Sequence, residues 1–221
     1  MRKIIKKFGY LLQISVIKTI MFNIKYFNLN NAIKFPVIIS KNFKLHTLKG
    51  SVELGEVKFA TIKLGFGNVG IFDKKYDRGI WQNNGIVKLE KNINIGHGVK
   101  IVNFGELVLG DSIKITANSQ LISYKRIEIG SNTIISWDNL IMDTDFHKIK
   151  NFNGEVINQN KDIIIGKCVW IGCRCLILKG SKLPNNSVIA AGSIINKDLF
   201  ENKHSIIFNS KVVKNDIYWV D

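Results

Sequence analysis

A six-residue repeat of aliphatic residues runs through the second half of the chain and restricts its possible folds more than any other feature. Counting in sixes meets a branched aliphatic residue at every step of the run Ile165, Ile171, Ile177, Leu183, Ile189 and Ile195. The residue four places after each of the first five is small: Val169, Cys175, Ser181, Ser187 and Ser193. This period fits neither an α-helix nor a long alternating strand. It indicates short strands separated by corners, wound into stacked coils.

The same repeat extends toward the N-terminus with two shifts of frame. Earlier runs are Ile95, Ile101, Leu107; then Leu109, Ile115, Leu121; then Ile129, Ile135, Ile141. Residues 51–94 predict weaker early coils, with Val57, Ile62, Leu64, Ile71, Ile86, Leu89 and Ile93 as aliphatic positions. We therefore expect an all-β solenoid over residues 51–198, after an N-terminal, partly helical extension (1–50) and before a C-terminal tail (199–221).

The repeat is interrupted between Ile141 and Ile163 by a polar stretch, which predicts a loop at about 143–162. Loops that leave a rigid scaffold commonly carry function. This one has Asp143, Asp145 and His147 near its start. A neutral imidazole can accept a proton at physiological pH, so His147 is the candidate general base.

Charge and cysteine content narrow the partners. The chain has 32 Lys and Arg against 17 Asp and Glu, a net charge of +15, which favours nucleic acid, an anionic membrane or a phosphorylated small molecule. Because no nucleic-acid-binding motif is present, no nucleic acid is expected. The three cysteines, Cys168, Cys173 and Cys175, lack the partners of a zinc site, so no metal is expected. Nothing indicates a disulfide framework, so a cytoplasmic location is the expectation.

The N-terminus is basic and then apolar. Gln13 and Lys18 interrupt the apolar run, which leaves it short for a membrane span. Ile4, Phe8 and Leu11 follow helical spacing beside several bases, which predicts an amphipathic basic helix. Two placements stay open: the helix lies on the inner face of an anionic membrane, or it packs on the main domain or a partner chain.

Two segments, IGSNTIISWDNLIMDTDFHKI and DIIIGKCVWIGCRCLILKGSKLPNNSVIAAGSIINKD, resemble the hexapeptide-repeat acyltransferases. The likeness is to the branch of sugar and polysaccharide O-acetyltransferases related to galactoside and maltose acetyltransferases. It implies a left-handed parallel β-helix and a homotrimer with sites between neighbouring solenoids. It also implies transfer of an acetyl group from acetyl-CoA to a hydroxyl of a sugar or cell-surface polysaccharide precursor.

The resemblance also assigns residues. It implies His147 as the catalytic base, and we expect Asp145 to orient it. The implied contacts to acetyl-CoA are Trp170, Cys173 (through its backbone), Ala191, Asn196, Lys197, Lys211 and Lys214. Asn209 stands where the family has a proline before its phosphate-binding cations. Candidate acceptor contacts are Trp137, Asp138 and Asp143.

Other functions remain open at this point. The acceptor could be an amine on a nucleotide sugar, which would make the chain an N-acyltransferase. A non-catalytic solenoid scaffold is an alternative of a different class. The γ-class carbonic anhydrases share the solenoid but bind zinc with three histidines, whereas the solenoid region of this chain holds only His97 and His147.

Overall fold

In the computed structural model, which describes residues 12–67, 69–73 and 75–220, the chain winds into coils of three short strands. Strands at the same place in successive coils pair in parallel, so the coils form a prism with three sheets as its faces. We call these faces sheets 1, 2 and 3, in the order in which the chain visits them. The predicted parallel β-helix is confirmed.

The bounds of the strands follow the coils. Sheet 1 contains β1 (Val37–Ile39), β4 (Ile62–Leu64), β7 (Ile93–His97), β10 (Lys114–Ala117), β13 (Ile134–Ile135), β16 (Trp170–Ile171), β19 (Val188–Ile189), β21 (Ile206–Phe208) and β22 (Lys211–Lys214). Sheet 2 contains β2 (Phe43–Leu48), β5 (Gly79–Asn83), β8 (Lys100–Asn103), β11 (Gln120–Ser123), β14 (Leu140–Met142), β17 (Leu176–Leu178) and β20 (Ile194–Ile195). Sheet 3 contains β3 (Ser51–Leu54), β6 (Ile86–Leu89), β9 (Glu106–Leu109), β12 (Arg126–Ile129), β15 (Ile163–Ile165) and β18 (Lys182–Leu183).

The aliphatic residues of the repeat stack into columns inside the prism. One column of paired residues in sheet 1 is Ile95, Ile115, Ile135, Ile171, Ile189 and Ile207. Each is at most 1% exposed. Full burial of such a side chain contributes about 1.5–3 kcal/mol, and no single coil could bury its own residues. The repeat therefore stabilises the chain only as a stack.

The shifts of frame come from sheet 3. In the earlier coils its strands place two residues inward, as with Leu107 and Leu109, which are both buried. Twenty residues therefore separate the paired Ile95 and Ile115, whereas eighteen separate the paired Ile171 and Ile189. A count in sixes holds without interruption only in the shorter coils.

The corners explain both the small residues and the asparagines. Ser181, Ser187 and Ser193 are buried, and each hydroxyl donates to a carbonyl three residues earlier. At the corner between sheets 3 and 1, one residue of each coil has a φ of 54–59°: Ala60, Asn92, Ser112, Asn132, Cys168, Asn186 and His204. Asparagine tolerates this left-handed conformation better than most residues. The small positions predicted from the repeat are confirmed.

The first coil lies ahead of residue 51, the boundary that the sequence predicts, because β1 already pairs with β4. Two aromatic residues occupy inward positions of the first two coils, Phe43 on β2 and Trp81 on β5, both fully buried. Helix α1 (Val16–Tyr26) covers this end of the stack, with the Phe22 ring 5.2 Å from the Trp81 ring, and α2 (Leu29–Ala32) follows it. The interpretation of Ile71 and Ile86 as inward residues is wrong, since they are 65% and 42% exposed.

The helical spacing of Ile4, Phe8 and Leu11 falls outside the described residues. Within the described part of the chain, no helix is long and apolar enough to cross a membrane. Two segments leave the coils. Residues 65–78 lie between β4 and β5, and residues 143–162 lie between β14 and β15. The tail after β20 contains the antiparallel pair β21 and β22 at the edge of sheet 1 and continues to Trp219, whose Nε1 donates to the Cys168 carbonyl at 2.8 Å.

Candidate active site

The 143–162 loop leaves the solenoid at the corner between sheets 2 and 3. Its first residue, Asp143, anchors the loop to the preceding coil. The Asp143 side chain is fully buried. Its Oδ1 accepts from the Tyr124 N–H at 2.7 Å, and its Oδ2 accepts from the Lys125 N–H at 2.8 Å. The prediction of Asp143 as an acceptor contact is therefore corrected, because this carboxylate is occupied by the backbone of the preceding coil.

Asn158 closes the loop around His147, and sequence reasoning missed it. Its Nδ2 donates to Asp145 Oδ2 at 2.9 Å and to the carbonyl of His147 at 2.8 Å, while its Oδ1 accepts from the Ile149 N–H at 2.6 Å. One side chain thus bonds to the backbone of His147 and Ile149 and to the carboxylate of Asp145. His147 itself is exposed, so this clasp presents the imidazole outward.

Asp145 contacts Lys179 and Asn158 rather than the imidazole. Lys179 Nζ forms an ion pair with Asp145 Oδ2 and donates to the Asn158 carbonyl at 2.9 Å. The hydrogen bond from Lys179, followed by that from Asn158, lowers the pKa of Asp145. Among the described residues no side-chain hydrogen bond joins Asp145 to His147. The orienting role expected of Asp145 stays a prediction; its links to His147 are the backbone bond from the His147 N–H to the Asp145 carbonyl at 2.7 Å and the shared partner Asn158.

A cavity of about 360 Å³ lies beside His147. Its walls combine aromatic, amide and hydroxyl groups: Tyr124, Thr144, Phe146, Lys148, Val156, Asn158, Gln159 and Asn160. Tyr124 stacks on Phe104 with ring centroids 4.7 Å apart and meets Phe146 edge-on at 5.4 Å. Such a lining offers apolar faces for a ring and polar groups for hydroxyls.

The predicted coenzyme contacts begin at a different corner, between sheets 1 and 2. Cys173 and Ala191 lie there in successive coils, and the Cys173 carbonyl accepts from the Gly192 N–H at 2.9 Å. Trp170 is 42% exposed on sheet 1 beside this corner, and its Nε1 donates to Ser136 Oγ at 3.2 Å. The structure thus brings Trp170, Cys173 and Ala191 to one edge of the prism.

Trp137 and Asp138 lie on the same edge, one coil earlier. The Arg174 N–H donates to the Trp137 carbonyl at 3.0 Å, and Arg174 Nε lies 3.7 Å from Asp138 Oδ2. Both predicted residues precede β14, whereas the His147 loop follows it. Within one chain the histidine and this edge therefore lie at opposite ends of the strands of sheet 2.

The remaining predicted coenzyme contacts lie toward the C-terminal end of the stack. Asn196 and Lys197 are exposed directly after β20, and Lys211 and Lys214 are exposed on β22. Asn196 is tied to the tail, because its N–H donates to Ser210 Oγ at 3.2 Å.

The cysteines have structural surroundings. Cys175 is fully buried, its thiol lies 3.2 Å from the Ala190 carbonyl, and burial raises the pKa of this thiol. Cys168 and Cys173 are half-buried. In the ranges that the structure describes, no group of three His, Cys, Asp or Glu residues is placed to hold a metal ion.

Comparison with known proteins places this geometry in context. No family model matches the chain. A polysialic acid O-acetyltransferase of Escherichia coli O1:K1 / APEC is 30% identical over 135 residues, which are 60% of this chain and 44% of that protein. A galactoside O-acetyltransferase of Lactococcus lactis subsp. lactis (strain IL1403) is 31% identical over 103 residues, 45% of this chain and 49% of that protein. The chain thus spans about half the length of these curated relatives, or less.

Among solved structures, the polySia specific acetyltransferase NeuO superposes with a TM-score of 0.58 at 24% identity, over 84% of each chain. This likeness concerns the fold. Together with the curated relatives it confirms the resemblance to the hexapeptide-repeat acyltransferases and their left-handed parallel β-helix.

Proposed function

We propose that this chain is an O-acetyltransferase that moves an acetyl group from acetyl-CoA to a hydroxyl of a sugar or cell-surface polysaccharide precursor. The observation that carries the proposal is the exposed His147, held by the Asn158 clasp beside a cavity with aromatic and amide walls. The matched relatives are named for O-acetyl transfer to polysialic acid and to galactosides. A sugar acceptor fits this cavity, since pyranose rings offer both an apolar face and hydroxyls.

In the proposed reaction, the His147 imidazole accepts the proton of the acceptor hydroxyl as its oxygen attacks the thioester carbonyl carbon. The resulting tetrahedral intermediate collapses with cleavage of the carbon–sulfur bond. The imidazolium then returns the proton to the departing thiolate, so coenzyme A leaves as the thiol and the ester remains on the sugar. A backbone N–H at the Cys173 corner would stabilise the oxyanion.

Exposed cations suit the donor. Lys197, Lys211 and Lys214 lie at the C-terminal end of the stack, where phosphate groups would find charge-assisted hydrogen bonds. The small Ala191 would leave room for an extended pantetheine arm along the corner between sheets 1 and 2, whereas Lys197 follows β20 at the corner between sheets 2 and 3. Part of the +15 charge thereby acquires a role in binding an anionic substrate.

The positions of the candidate base and of the predicted coenzyme edge support a homotrimer. His147 and the edge bearing Cys173 and Ala191 lie at opposite ends of sheet 2 in one chain. We propose that the loop of one copy faces this edge of its neighbour, which closes the site between chains. Two inactive variants, His147→Ala and Ala191→Trp, would then complement each other in mixed trimers. Random mixing at equal amounts should restore about a quarter of the sites, whereas a site within one chain would give no recovery.

The activity is tested by release of free thiol from acetyl-CoA in the presence of galactosides or acidic oligosaccharides. His147→Ala should lower kcat by about 10²–10⁴ without weakening donor binding measured by calorimetry. His46→Ala is the matched control, because His46 is exposed on β2 and outside the proposed site. Absence of acetyl-CoA binding at millimolar concentration would rule out the proposed function. Amide products with an amino-sugar acceptor would replace O-transfer by N-transfer.

A further inference from the structure

Helix α1 has its polar and apolar faces reversed relative to an ordinary surface helix. Its buried residues are Thr19, Phe22 and Asn23, two of which are polar. The Asn23 side chain donates to the Val37 carbonyl at 2.7 Å and accepts from the Val37 N–H at 3.3 Å. Thr19 Oγ1 accepts from the Ile39 N–H at 3.1 Å. These polar residues face inward because β1 is the edge of sheet 1, and its backbone groups need partners.

The outward face of the same helix is apolar. Val16, Ile17, Ile20, Met21 and Ile24 follow one another at helical spacing and are 65%, 72%, 39%, 53% and 61% exposed. Leu29 and Ile33 continue the surface beyond the helix at 71% and 62%. We call these seven residues the α1 stripe. Soluble chains seldom leave a contiguous apolar surface of this kind uncovered, and it marks a site of interaction.

Charge distinguishes between the two main candidate partners of the α1 stripe, a second copy of the chain and an anionic lipid surface. The first 52 residues contain ten Lys and Arg and no Asp or Glu, since the first acidic residue of the chain is Glu53. In the described part of this segment, Lys25 and Lys34 are exposed close to the stripe in sequence. A second copy docked through the stripe would bring two such basic regions together, and this repulsion opposes association. An anionic lipid surface attracts the same region.

We propose that the α1 stripe docks the protein onto an anionic membrane surface. The stripe would lie in the plane of the interface, with its apolar side chains among the acyl chains and the neighbouring lysines at the lipid headgroups. An eleven-residue helix is too short to cross the hydrocarbon core, so the contact is peripheral. This function is separate from His147 and from the acetyl donor.

The test is flotation with vesicles of phosphatidylcholine alone and of phosphatidylcholine with 30% phosphatidylglycerol. The wild type should float with the anionic vesicles at low salt and bind at least about tenfold less to neutral ones or in high salt. Ile17→Gln, Met21→Gln and Ile24→Gln combined should lower binding to anionic vesicles by about tenfold or more. Lys25→Glu with Lys34→Glu should weaken binding further at low salt.

The matched control replaces three exposed apolar residues elsewhere, Ile71, Phe152 and Val213, by glutamine. It should float as the wild type does. Circular dichroism and sedimentation of every variant complete the design. Failure of the wild type to bind anionic vesicles would overturn the proposal. The proposal would also be overturned if the wild type self-associated in sedimentation and only the stripe variant lost this self-association, because the stripe would then be an interface between copies. Because no donor or acceptor is present, the outcome is independent of the proposed transferase activity.

Discussion

Replacement of Asn158 by alanine removes the three side-chain hydrogen bonds that Asn158 makes with Asp145, His147 and Ile149. A typical net contribution is about 0.5–1.5 kcal/mol for each bond, and the exposed position of this loop places these near the lower limit. A total of about 1.5 kcal/mol lowers the equilibrium constant between clasped and open loop about tenfold. We therefore expect kcat for acetyl transfer to fall several-fold, with about tenfold as the limit, since general-base catalysis depends on the position of the imidazole.

The matched control is Asn151→Ala in the same loop. Asn151 also makes hydrogen bonds through both ends of its amide, to Glu155, but none with the residues around His147. It should leave kcat within about twofold of the wild type. Asn151→Ala should unfold within about 2 °C of the wild type and Asn158→Ala no more than about 6 °C below it, since a loss of 1 kcal/mol lowers Tm by about 2–4 °C in a chain of this size. The reasoning would be refuted if Asn158→Ala kept full kcat, or if both variants lost activity equally.

Three further predictions follow from the described contacts. Asp143→Ala leaves two backbone N–H groups without their acceptor in a buried corner, so denaturant unfolding should show a loss of about 2–4 kcal/mol; a change in acceptor KM with full stability would instead restore the substrate role. Maleimide should label Cys168 and Cys173 in the native protein but Cys175 only after denaturation, and rapid native labelling of all three would contradict its burial. Because the folded pKa of Asp145 is lowered, its contribution to loop stability is present above the ordinary aspartate pKa of about 3.9 and is lost as the pH falls through the lower value; hydrogen-exchange protection in the loop, corrected for the intrinsic exchange rate at each pH, should therefore decrease in acid, and Asp145→Asn should abolish this dependence.

The strength of the repeat decided how much of the fold could be predicted from the sequence. From Ile165 onward each coil places one branched residue per strand inward, so the period alone identifies the stack. The early coils lack this period, since 25 residues separate the paired Ile39 and Leu64 and the pairing of β2 with β5 shifts register between Leu45 and Thr47. The repeat therefore does not reveal the coil that begins at Val37, nor the segment over residues 65–78.

The candidate site, like the fold, is predictable from the sequence only where a residue interrupts or follows the repeat. His147 is recognisable because it stands in a break of an otherwise regular pattern. Lys179 is 34 residues from Asp145 and Asn158 is 11 residues from His147, so their contacts exist only after the loop has folded back onto the next coil. In the sequence, Asp143 cannot be distinguished from a substrate-binding carboxylate, because it is an acidic residue close to the candidate base. Only its burial against the Tyr124 and Lys125 amides shows its structural role.

The tip of the 143–162 loop lies outside the solenoid core, unlike the buried Asp143 at its base. Ile127 pairs with Ile163 and Ile129 with Ile165, so β15 joins sheet 3 in register after the loop. Replacement of its tip, residues 150–156, by a short Gly-Ser turn should change unfolding free energy by less than about 1 kcal/mol, since loop closure depends weakly on length. Val156 lines the cavity beside His147, so acceptor KM should rise while acetyl-CoA affinity is kept. Equal loss of donor and acceptor binding would show instead that the loop is part of the common scaffold of the site.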